Sequence, residues 1–471
     1  MHAGSFEGPI KSIAECNAES SVDDVQGARQ QADEDGAMTM EEGRCRPCTC
    51  TEWSKAASAA VAPTERGESP PQQVLDHAKR MAGFALAAYH PEIKSSPGGG
   101  HPSTPKHMGI IQAAGISKED LLYVSPRDAV LGNLPYFIAL DREHEAVVIA
   151  FRGTYSVADV FTDAVALPQR ADVWLSPSLR QEQTSGERDA VYVHSGVLSV
   201  AQTLWTDMVE IGLVQAVAPG IERTHMDAEE LGRVTNSTKR SFDRTIASSI
   251  KDKIHLHGWQ LVTTGHSLGA GVAVLIALRF RESIPGAECW AFSPPGGLCS
   301  PNLASMTASF CHSLVLGKDI VPRASAKSLN ALLDALILTL GRSRLSTLRV
   351  IYLYLSGRVS TTDLQQILRP EKNIPDEAWS FLQRFRSSSA KLPDTMSRTM
   401  LPPGKVVLLR RLKHAEGSTA TSWEAVNIQS GGLAHEGIVV SKRMFSDHSM
   451  DRMRDALHLA ARPEAQNAVA A

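Results

Sequence analysis

The feature that most constrains the fold is a five-residue segment, Gly265-His-Ser-Leu-Gly269, placed between two apolar runs. The run before it, 259–264, has the length of a strand, and the run after it, 268–280, has the length of a helix. A glycine on each side of Ser267 allows a sharp turn, since a side chain at either position would collide with the neighbouring element. A strand, a tight turn and a helix in this order form a nucleophile elbow, which would hold Ser267 at the carboxyl edge of a sheet.

The remaining periodicity indicates an α/β architecture. Strands are predicted at 134–140, 146–151, 289–293, 312–316, 405–412 and 437–441, and helices at 74–89 and 451–461. Alternating strands and helices favour a mostly parallel sheet with helices on both faces, and an opening hairpin makes that sheet mixed. Residues 326–400 separate two strands by far more than the usual connection, so we expect a large insertion there, helical in its first half and polar in its second.

Charge divides the chain unevenly. Residues 1–72 carry 13 acidic and 6 basic side chains, a net −7, so the remaining residues carry a net +4. Few apolar groups lie in the first segment, and we expect a disordered acidic tail over 1–72, a folded domain over 73–461 and a short tail over 462–471. The net charge of −3 argues against a nucleic-acid binder, and the longest apolar run, seven residues, is too short to span a membrane.

The seven cysteines do not suggest a disulfide framework. Their number is odd and their spacing wide, which favours a reducing compartment, and we expect a cytoplasmic chain. Cys45, Cys48 and Cys50 lie close together in the acidic tail, but a closed metal site needs four ligands. We interpret them as unpaired thiols, with acylation as a weaker alternative.

An elbow serine requires a base and an orienting acid, expected in the order serine, acid, histidine. His448 follows the predicted strand 437–441, and His414, which also follows a strand, is the alternative. Asp319 is the first acidic residue after the strand 312–316, although a turn or capping role would also explain it.

Two backbone positions are candidates for an oxyanion hole. Leu268 follows the nucleophile and begins a helix, whose free N–H groups and dipole favour negative charge. Thr154 ends the segment Phe151-Arg-Gly-Thr154, where a strand stops and a glycine permits close approach. Of the other histidines, we interpret His194 as hydrogen-bonded to backbone, and we assign no role to His266.

These motifs together resemble the class 3 lipases of the α/β-hydrolase fold, and within them the branch of sn-1-specific diacylglycerol lipases. The resemblance covers about 73–461 with gaps and is carried by Val147-Val-Ile-Ala-Phe-Arg-Gly-Thr154, Ser156-Val-Ala-Asp159-Val-Phe-Thr-Asp163, Thr264-Gly-His-Ser-Leu-Gly269, Phe292-Ser-Pro-Pro-Gly-Gly297, Gly317-Lys-Asp-Ile-Val-Pro-Arg323 and Asp447-His448. It implies Ser267 as nucleophile, Asp319 as acid, His448 as base, and Thr154 and Leu268 as oxyanion donors. We expect the chain to resemble this branch without the membrane domain of its animal members.

The resemblance also implies an activity. We expect a serine lipase that cleaves the sn-1 ester of diacylglycerol, giving monoacylglycerol and a free fatty acid through an acyl-enzyme. The alternatives are a triacylglycerol lipase, a phospholipase A1 and an inactive lipid-binding homologue. We expect neither a metal nor a cofactor, and no nucleic-acid partner; the sequence does not indicate protein partners.

A lipase must reach a substrate held in a membrane, and the insertion offers a means of doing so. Its leucines at 329, 332, 333, 336 and 340 share one helical face, and 335–362 contain four arginines and no acid. A basic amphipathic stretch suits an anionic membrane surface, so we expect peripheral membrane association. The alternative is a cap helix packed on the domain. Residues 171–175 are a second candidate for a lid.

Overall fold

The computed structural model describes residues 67–90, 107–125, 134–154, 167–171, 174, 190–218, 244–346, 348–349, 352, 367–370, 373–388, 398–412 and 422–460. The chain divides into two units, Met1–Thr64 and Glu65–Ala471, and all described residues lie in the second. The predicted C-terminal tail and most of the predicted acidic tail, including Cys45, Cys48 and Cys50, therefore lie outside the described residues. His414 does so as well.

The described residues form ten strands, eight of them in a main sheet and two in a separate pair. The strands are β1 (Leu121–Val124), β2 (Tyr136–Asp141), β3 (Ala146–Phe151), β4 (Pro168–Arg170), β5 (Tyr192–His194), β6 (Gln260–His266), β7 (Glu288–Phe292), β8 (Cys311–Leu316), β9 (Lys405–Arg411) and β10 (Trp423–Ile428). The helices flanking this series at its two ends are α1 (Gln72–Ala87) and α11 (Met450–Ala460).

The other described helices lie between α1 and α11 in the chain. They are α2 (Met108–Ala114), α3 (Ser195–Glu210), α4 (Leu213–Val217), α5 (Arg244–His255), α6 (Leu268–Phe280), α7 (Pro301–Thr307), α8 (Ala326–Arg342), α9 (Asp376–Ser388) and α10 (Ser430–Glu436). Among the described residues, no helix combines the length and the apolar character that crossing a membrane requires.

Eight strands form one sheet in the order β1-β2-β3-β6-β7-β8-β9-β10, and β4 pairs with β5 separately. The five central strands, β3 and β6 to β9, run parallel, whereas β1, β2 and β10 join the sheet antiparallel. This mostly parallel mixed sheet with helices confirms the predicted fold class. The carboxyl ends of the parallel strands meet at one edge, which we call the catalytic edge.

Burial explains why the central strands read as continuous apolar runs. Every residue of β2 and β3 is buried, since helices cover both faces of the sheet. One core cluster includes residues of α3 and α6, and a second includes residues of α1 and α11. Helix α6 is buried from its second residue to its last, as an all-apolar helix should be.

The last strand differs from the prediction. Residues 437–441 form no strand, although Ile438, Val439 and Val440 have high β-propensity. Gly437 ends α10 with a φ of 67°, and Val440 is 55% exposed, so this run has neither a pairing strand nor a core to face. The last strand is β10, which pairs antiparallel with β9, from Trp423 opposite Arg411 to Ile428 opposite Val406. Its sequence, Trp-Glu-Ala-Val-Asn-Ile, has a weaker apolar signal because polar residues interrupt it.

Candidate active site

Ser267 lies at the turn between β6 and α6. Its φ of 58° and ψ of −127° are a conformation that residues other than glycine rarely adopt. Its N–H donates to Phe292 O on the neighbouring strand β7 at 2.9 Å, which ties the turn to the sheet. This backbone conformation projects the Ser267 side chain beyond the catalytic edge of the sheet, which is the position of the serine in a nucleophile elbow.

The glycines at 265 and 269 are required by close backbone contacts. A Cβ on Gly265 would lie 2.5 Å from Gly269 O, so β6 and α6 could not approach as they do. A Cβ on Gly269 would lie 2.6 Å from both Phe151 O and Arg152 O, at the end of β3. The elbow thus fixes the distance between the nucleophile turn and the strand that precedes Thr154.

Ser267, His448 and Asp319 form a chain of hydrogen bonds. His448 Nε2 lies 3.0 Å from Ser267 Oγ, and His448 Nδ1 lies 3.1 Å from each oxygen of the Asp319 carboxylate. All three residues are buried. A carboxylate can only accept, so Nδ1 carries the proton and Nε2 is left to accept one from the serine hydroxyl. This is the arrangement of a serine, a general base and an orienting acid.

Asp319 is held rigidly on the loop after β8. Its Oδ1 accepts the N–H of Val321 at 3.0 Å, and its carbonyl accepts Arg323 Nη1 at 2.9 Å. Burial by itself would raise the pKa of this carboxyl. The adjacent His448 and hydrogen bonds to the carboxylate outweigh burial and hold the pKa below its ordinary value. Asp319 is therefore an anion at neutral pH.

His448 reaches the site by a route that the sequence did not suggest. Strand β10 is antiparallel and ends at the edge opposite the catalytic one, so His448 does not follow a parallel strand as the positional reasoning assumed. The chain returns through α10 and a loop to a 3-10 turn, Ser446–His448. Two bonds fasten this turn to the Asp319 loop: Ile320 N–H donates to Met444 O at 3.2 Å, and Lys318 N–H donates to Asp447 Oδ2 at 2.9 Å.

Both candidate oxyanion donors, Leu268 and Thr154, lie in segments next to Ser267. Leu268 is the first residue of α6, so its N–H has no acceptor within the helix. The Oγ1 of Thr154 is buried and has no hydrogen-bond partner within the part of the chain that the structure describes. Gly153, beside Thr154, lies so close that a Cβ there would be 3.2 Å from Ser267 Cβ. A buried hydroxyl that has no partner among the described residues, together with the N–H of a helix's first residue, suits a ligand that brings negative charge.

The other histidines occupy structural positions. His194 caps α3, where its Nδ1 accepts the Val197 N–H at 3.4 Å. His312 is the second residue of β8, near the opposite edge, and stacks on Trp290. His458 lies within α11. His435 is exposed at the end of α10.

Sequence reasoning missed Tyr89, whose hydroxyl lies 2.8 Å from His266 Nδ1. Tyr89 belongs to the apolar face of the helix predicted at 74–89, and this position did not indicate a polar contact. His266 Nε2 in turn lies 2.9 Å from the carbonyl oxygen of His448. The residue before Ser267 therefore contacts the backbone of His448, a relation with no short-range signal in the sequence.

A single group of side chains has the spacing of a metal site within the described ranges, and it lies away from the elbow. Asp141, Glu143 and His144 offer three ligand atoms within 4.8 Å of one another. The Asp141 carboxylate is already paired with Arg80 at 3.1 Å and with His144 Nδ1 at 3.0 Å. A guanidinium in this position neutralises the carboxylate, which suits an ion pair better than a metal ligand.

Comparison with known proteins places this site in a family context. Residues 148–329 match the family model of the class 3 lipases, a range that contains Thr154, Ser267 and Asp319 but not His448. Mouse diacylglycerol lipase-beta is 29% identical over 226 residues, which cover 47% of this chain and 26% of that protein. Rat diacylglycerol lipase-alpha is 26% identical over 333 residues, which cover 70% of this chain and 27% of that protein.

The match thus spans about a quarter of the length of these relatives. Among solved structures, a mutant form of MDLA from Penicillium cyclopium is 17% identical, with 82% of this chain and 99% of that chain covered and a TM-score of 0.42. The matches to the family model and to the two diacylglycerol lipases show that the chain resembles the class 3 lipases.

Proposed function

We propose that this chain, with its class 3 lipase match over residues 148–329, is a serine hydrolase that cleaves an acyl ester of a glycerolipid. The observation that carries the proposal is the hydrogen-bonded chain from Ser267 through His448 to Asp319. Near it lies the buried Thr154 Oγ1, which has no hydrogen-bond partner among the described residues. A lipid-binding protein without activity would have no need of a strained, buried serine aligned with a base.

The proposed reaction proceeds in two halves. Ser267 Oγ attacks the ester carbonyl while its proton passes to His448 Nε2, and the carbonyl oxygen becomes an oxyanion held by Leu268 and Thr154. The proton then passes to the departing glycerol oxygen as the carbon–oxygen bond breaks, which leaves an acyl-enzyme. A water molecule repeats the sequence: it gives its proton to His448, attacks the acyl carbon and releases the fatty acid as Ser267 regains its proton.

Asp319 has two roles in this scheme. It keeps the proton of the neutral imidazole on Nδ1, 3.1 Å away, and it stabilises the imidazolium that forms in each half. Its low pKa keeps the charge in place at neutral pH. Removal of one oxyanion donor typically raises such a barrier by about 3 kcal/mol.

The proposed substrate is diacylglycerol, cleaved at its sn-1 ester. Support comes from the names of the two relatives compared above, both of which are diacylglycerol lipases. A triacylglycerol lipase or phospholipase A1 would use the same residues. The test is a lipid panel of sn-1,2-diacylglycerol, triacylglycerol and phosphatidylcholine at equal surface concentration, with Ser267→Ala as the blank. Monoacylglycerol with the sn-2 chain retained is the expected main product; faster release from either other lipid would replace this assignment.

We further propose that the insertion between β8 and β9 attaches the protein to an anionic membrane surface. Of the 17 residues of α8, only Ser328 and Gly341 are buried. Leu336 is 48% exposed and Leu340 is 45% exposed, so the leucine face of the helix is only partly covered. Such a face would be costly in water unless it meets a partner.

The residues that follow α8 strengthen this interpretation. Leu348 is 81% exposed, and Arg344 and Arg349 are exposed beside it. Exposed leucines among arginines match a surface that is apolar inside and anionic at its headgroups. A cap helix packed on the domain, the alternative, would bury its leucines.

Vesicle binding separates the two interpretations. Leu348→Asp should weaken sedimentation with phosphatidylserine-containing vesicles about tenfold or more, since one leucine buried at the interface contributes about 1.5 kcal/mol or more. The matched control is Leu256→Asp, because Leu256 is 74% exposed at the end of α5, at the opposite edge of the sheet. Equal binding by both variants would contradict attachment through the insertion.

A further inference from the structure

We propose that His266 and Tyr89 are positioning residues for the base, holding the backbone of His448 at the distance that aligns its imidazole with Ser267. The inference rests on the proposed hydrolase function, and it adds two residues that lie outside the serine, acid and base. Neither has to touch the substrate. Their effect would pass through the main chain of the turn that carries His448.

The geometry is a relay of two short hydrogen bonds. Tyr89 Oη lies 2.8 Å from His266 Nδ1, and His266 Nε2 lies 2.9 Å from the carbonyl oxygen of His448. Three separate parts of the fold are joined in this way: the end of α1, the last residue of β6 and the 3-10 turn before α11. Helix α1 is itself anchored by α11 and the sheet, so the relay ties the base to a rigid body.

The direction of each bond follows from the atoms involved. A backbone carbonyl can only accept, so His266 Nε2 must carry a proton. His266 Nδ1 is then free to accept, and the Tyr89 hydroxyl donates to it. The tautomer of His266 is thereby fixed with its proton on Nε2, opposite to His448, whose proton lies on Nδ1.

The charge of His266 matters because its ring lies beside that of the base. The two ring centroids are 4.6 Å apart, with the planes inclined at 37°. Burial, and then the neighbouring charge of His448, lower the pKa of His266 to about 3. The residue before the nucleophile is therefore neutral at working pH, and it can fix the base without opposing the positive charge that His448 gains during the reaction.

The relay also passes close to the nucleophile and the oxyanion loop. A Cβ on Gly153 would lie 2.3 Å from Tyr89 Oη and 2.4 Å from His266 O. Tyr89, His266 and Gly153 are thus in mutual contact directly behind Ser267. Loss of the relay would let the turn of His448 shift relative to a serine that stays fixed by its own bond to β7, and a shift of about 1 Å can cost roughly a hundredfold in rate.

The first arm of the test measures the bonds without requiring turnover. In the full-length protein labelled with nitrogen-15 histidine, His266 should show a slowly exchanging proton on Nε2, assigned by its absence in His266→Gln. A proton on Nδ1, or a rapidly exchanging ring, would overturn the relay whether or not the protein hydrolyses any ester.

The second arm measures function. His266→Leu removes the donor at similar volume and should lower kcat about tenfold to a hundredfold with KM nearly unchanged. His266→Gln keeps an N–H within reach of the same carbonyl and should restore most of that loss. Tyr89→Phe alone should lower kcat by a smaller factor than His266→Leu. Added to His266→Leu, it should not lower kcat any further, because Tyr89 would act only through His266.

The control is His255→Leu. His255 Nε2 also lies 2.9 Å from a backbone carbonyl, that of Val217, but it joins α5 to α4 away from the catalytic edge and is more exposed. It should alter thermal stability at most and leave kcat unchanged. Wild-type kcat in His266→Leu, or an equal effect of Tyr89→Phe in both backgrounds, would overturn the positioning role. A wild-type protein without esterase activity would contradict the proposed function instead, and the first arm would still decide the relay.

Discussion

Replacement of Asp319 by asparagine is a sharp test of the proposed acid because it changes charge and tautomer but almost no volume. The carboxylate oxygens each lie 3.1 Å from His448 Nδ1, and Oδ1 also accepts the Val321 N–H at 3.0 Å. In the variant, the amide oxygen should keep the bond to Val321. The amide nitrogen then takes the place of Oδ2, from which it donates to Nδ1.

That exchange reverses the polarity of the base. Nδ1 becomes an acceptor, so the proton of the neutral imidazole moves to Nε2, which can no longer accept from Ser267. A triad with this change loses about 10⁴ in kcat, equivalent to about 5 kcal/mol of barrier. Steady-state hydrolysis of a soluble short-chain ester would measure it without complications from membrane binding.

The matched control is Asp120→Asn. Asp120 is also buried and bonded, to Arg142 at 2.7 Å and Ser117 at 2.8 Å, but it lies in the turn before β1. It should lower stability and leave kcat unchanged. If folded Asp319→Asn retains kcat within tenfold of the wild type, Asp319 does not set the tautomer and the proposed triad is wrong.

Two further predictions concern packing and pH. Gly269→Ala should destabilise the fold by about 1–3 kcal/mol, and it should lower kcat because the new Cβ displaces the end of β3. The control is Gly286→Ala, which should do neither, because a Cβ on Gly286 would have no atom within 4 Å. Equal urea midpoints and equal rates for the two variants would contradict the packing argument. Burial, with a smaller contribution from Lys405, lowers the pKa of His312 to about 4. Between pH 6.5 and 4, this histidine is therefore protonated in the unfolded chain but neutral in the folded one. Protonation of the unfolded chain lowers the free energy of unfolding as pH falls through that range. His312→Gln should therefore flatten the pH dependence of urea unfolding over that window by up to about 1.4 kcal/mol per pH unit, and an unchanged slope would refute it.

The central elements were predictable because their signals are local. The strand predicted at 259–264 forms as β6, Gln260–His266, and the helix predicted at 268–280 forms at those residues. Apart from Gln260 and Leu268, the first residue of each, both elements are buried, so the apolar runs in the sequence correspond directly to burial. The need for glycine at 265 and 269 was also predictable, since the tight turn between two packed elements leaves no space for a Cβ.

The edges of the sheet were less predictable for a physical reason. Strands β1 and β10 are antiparallel edge strands, and an edge strand has one neighbour and a less uniform apolar pattern. The partly exposed run 437–441 has the residue types of a strand, yet strand formation needs a partner, which no local pattern specifies. β-Propensity alone therefore predicted the last strand at 437–441, whereas the last strand forms at Trp423–Ile428.

The position of His448 shows how far positional reasoning reaches. The residue lies beside Ser267, but the strand from which it was argued does not exist, and the family resemblance was the stronger guide. Neither the sequence pattern nor the family resemblance indicated the hydrogen bonds that join Tyr89, His266 and His448. These two residues are 177 positions apart in the chain, and only the folded structure brings them into contact.

The most direct test of the account is covalent labelling of the full chain with a fluorophosphonate, followed by mass mapping of the labelled peptide. The account predicts a single adduct on Ser267, absent in Ser267→Ala and strongly slowed in His448→Ala, because the serine oxygen reacts only when the base can accept its proton. Equal labelling of Ser267→Ala, or no adduct on the folded wild-type protein, would contradict the claim that Ser267 is a catalytic nucleophile.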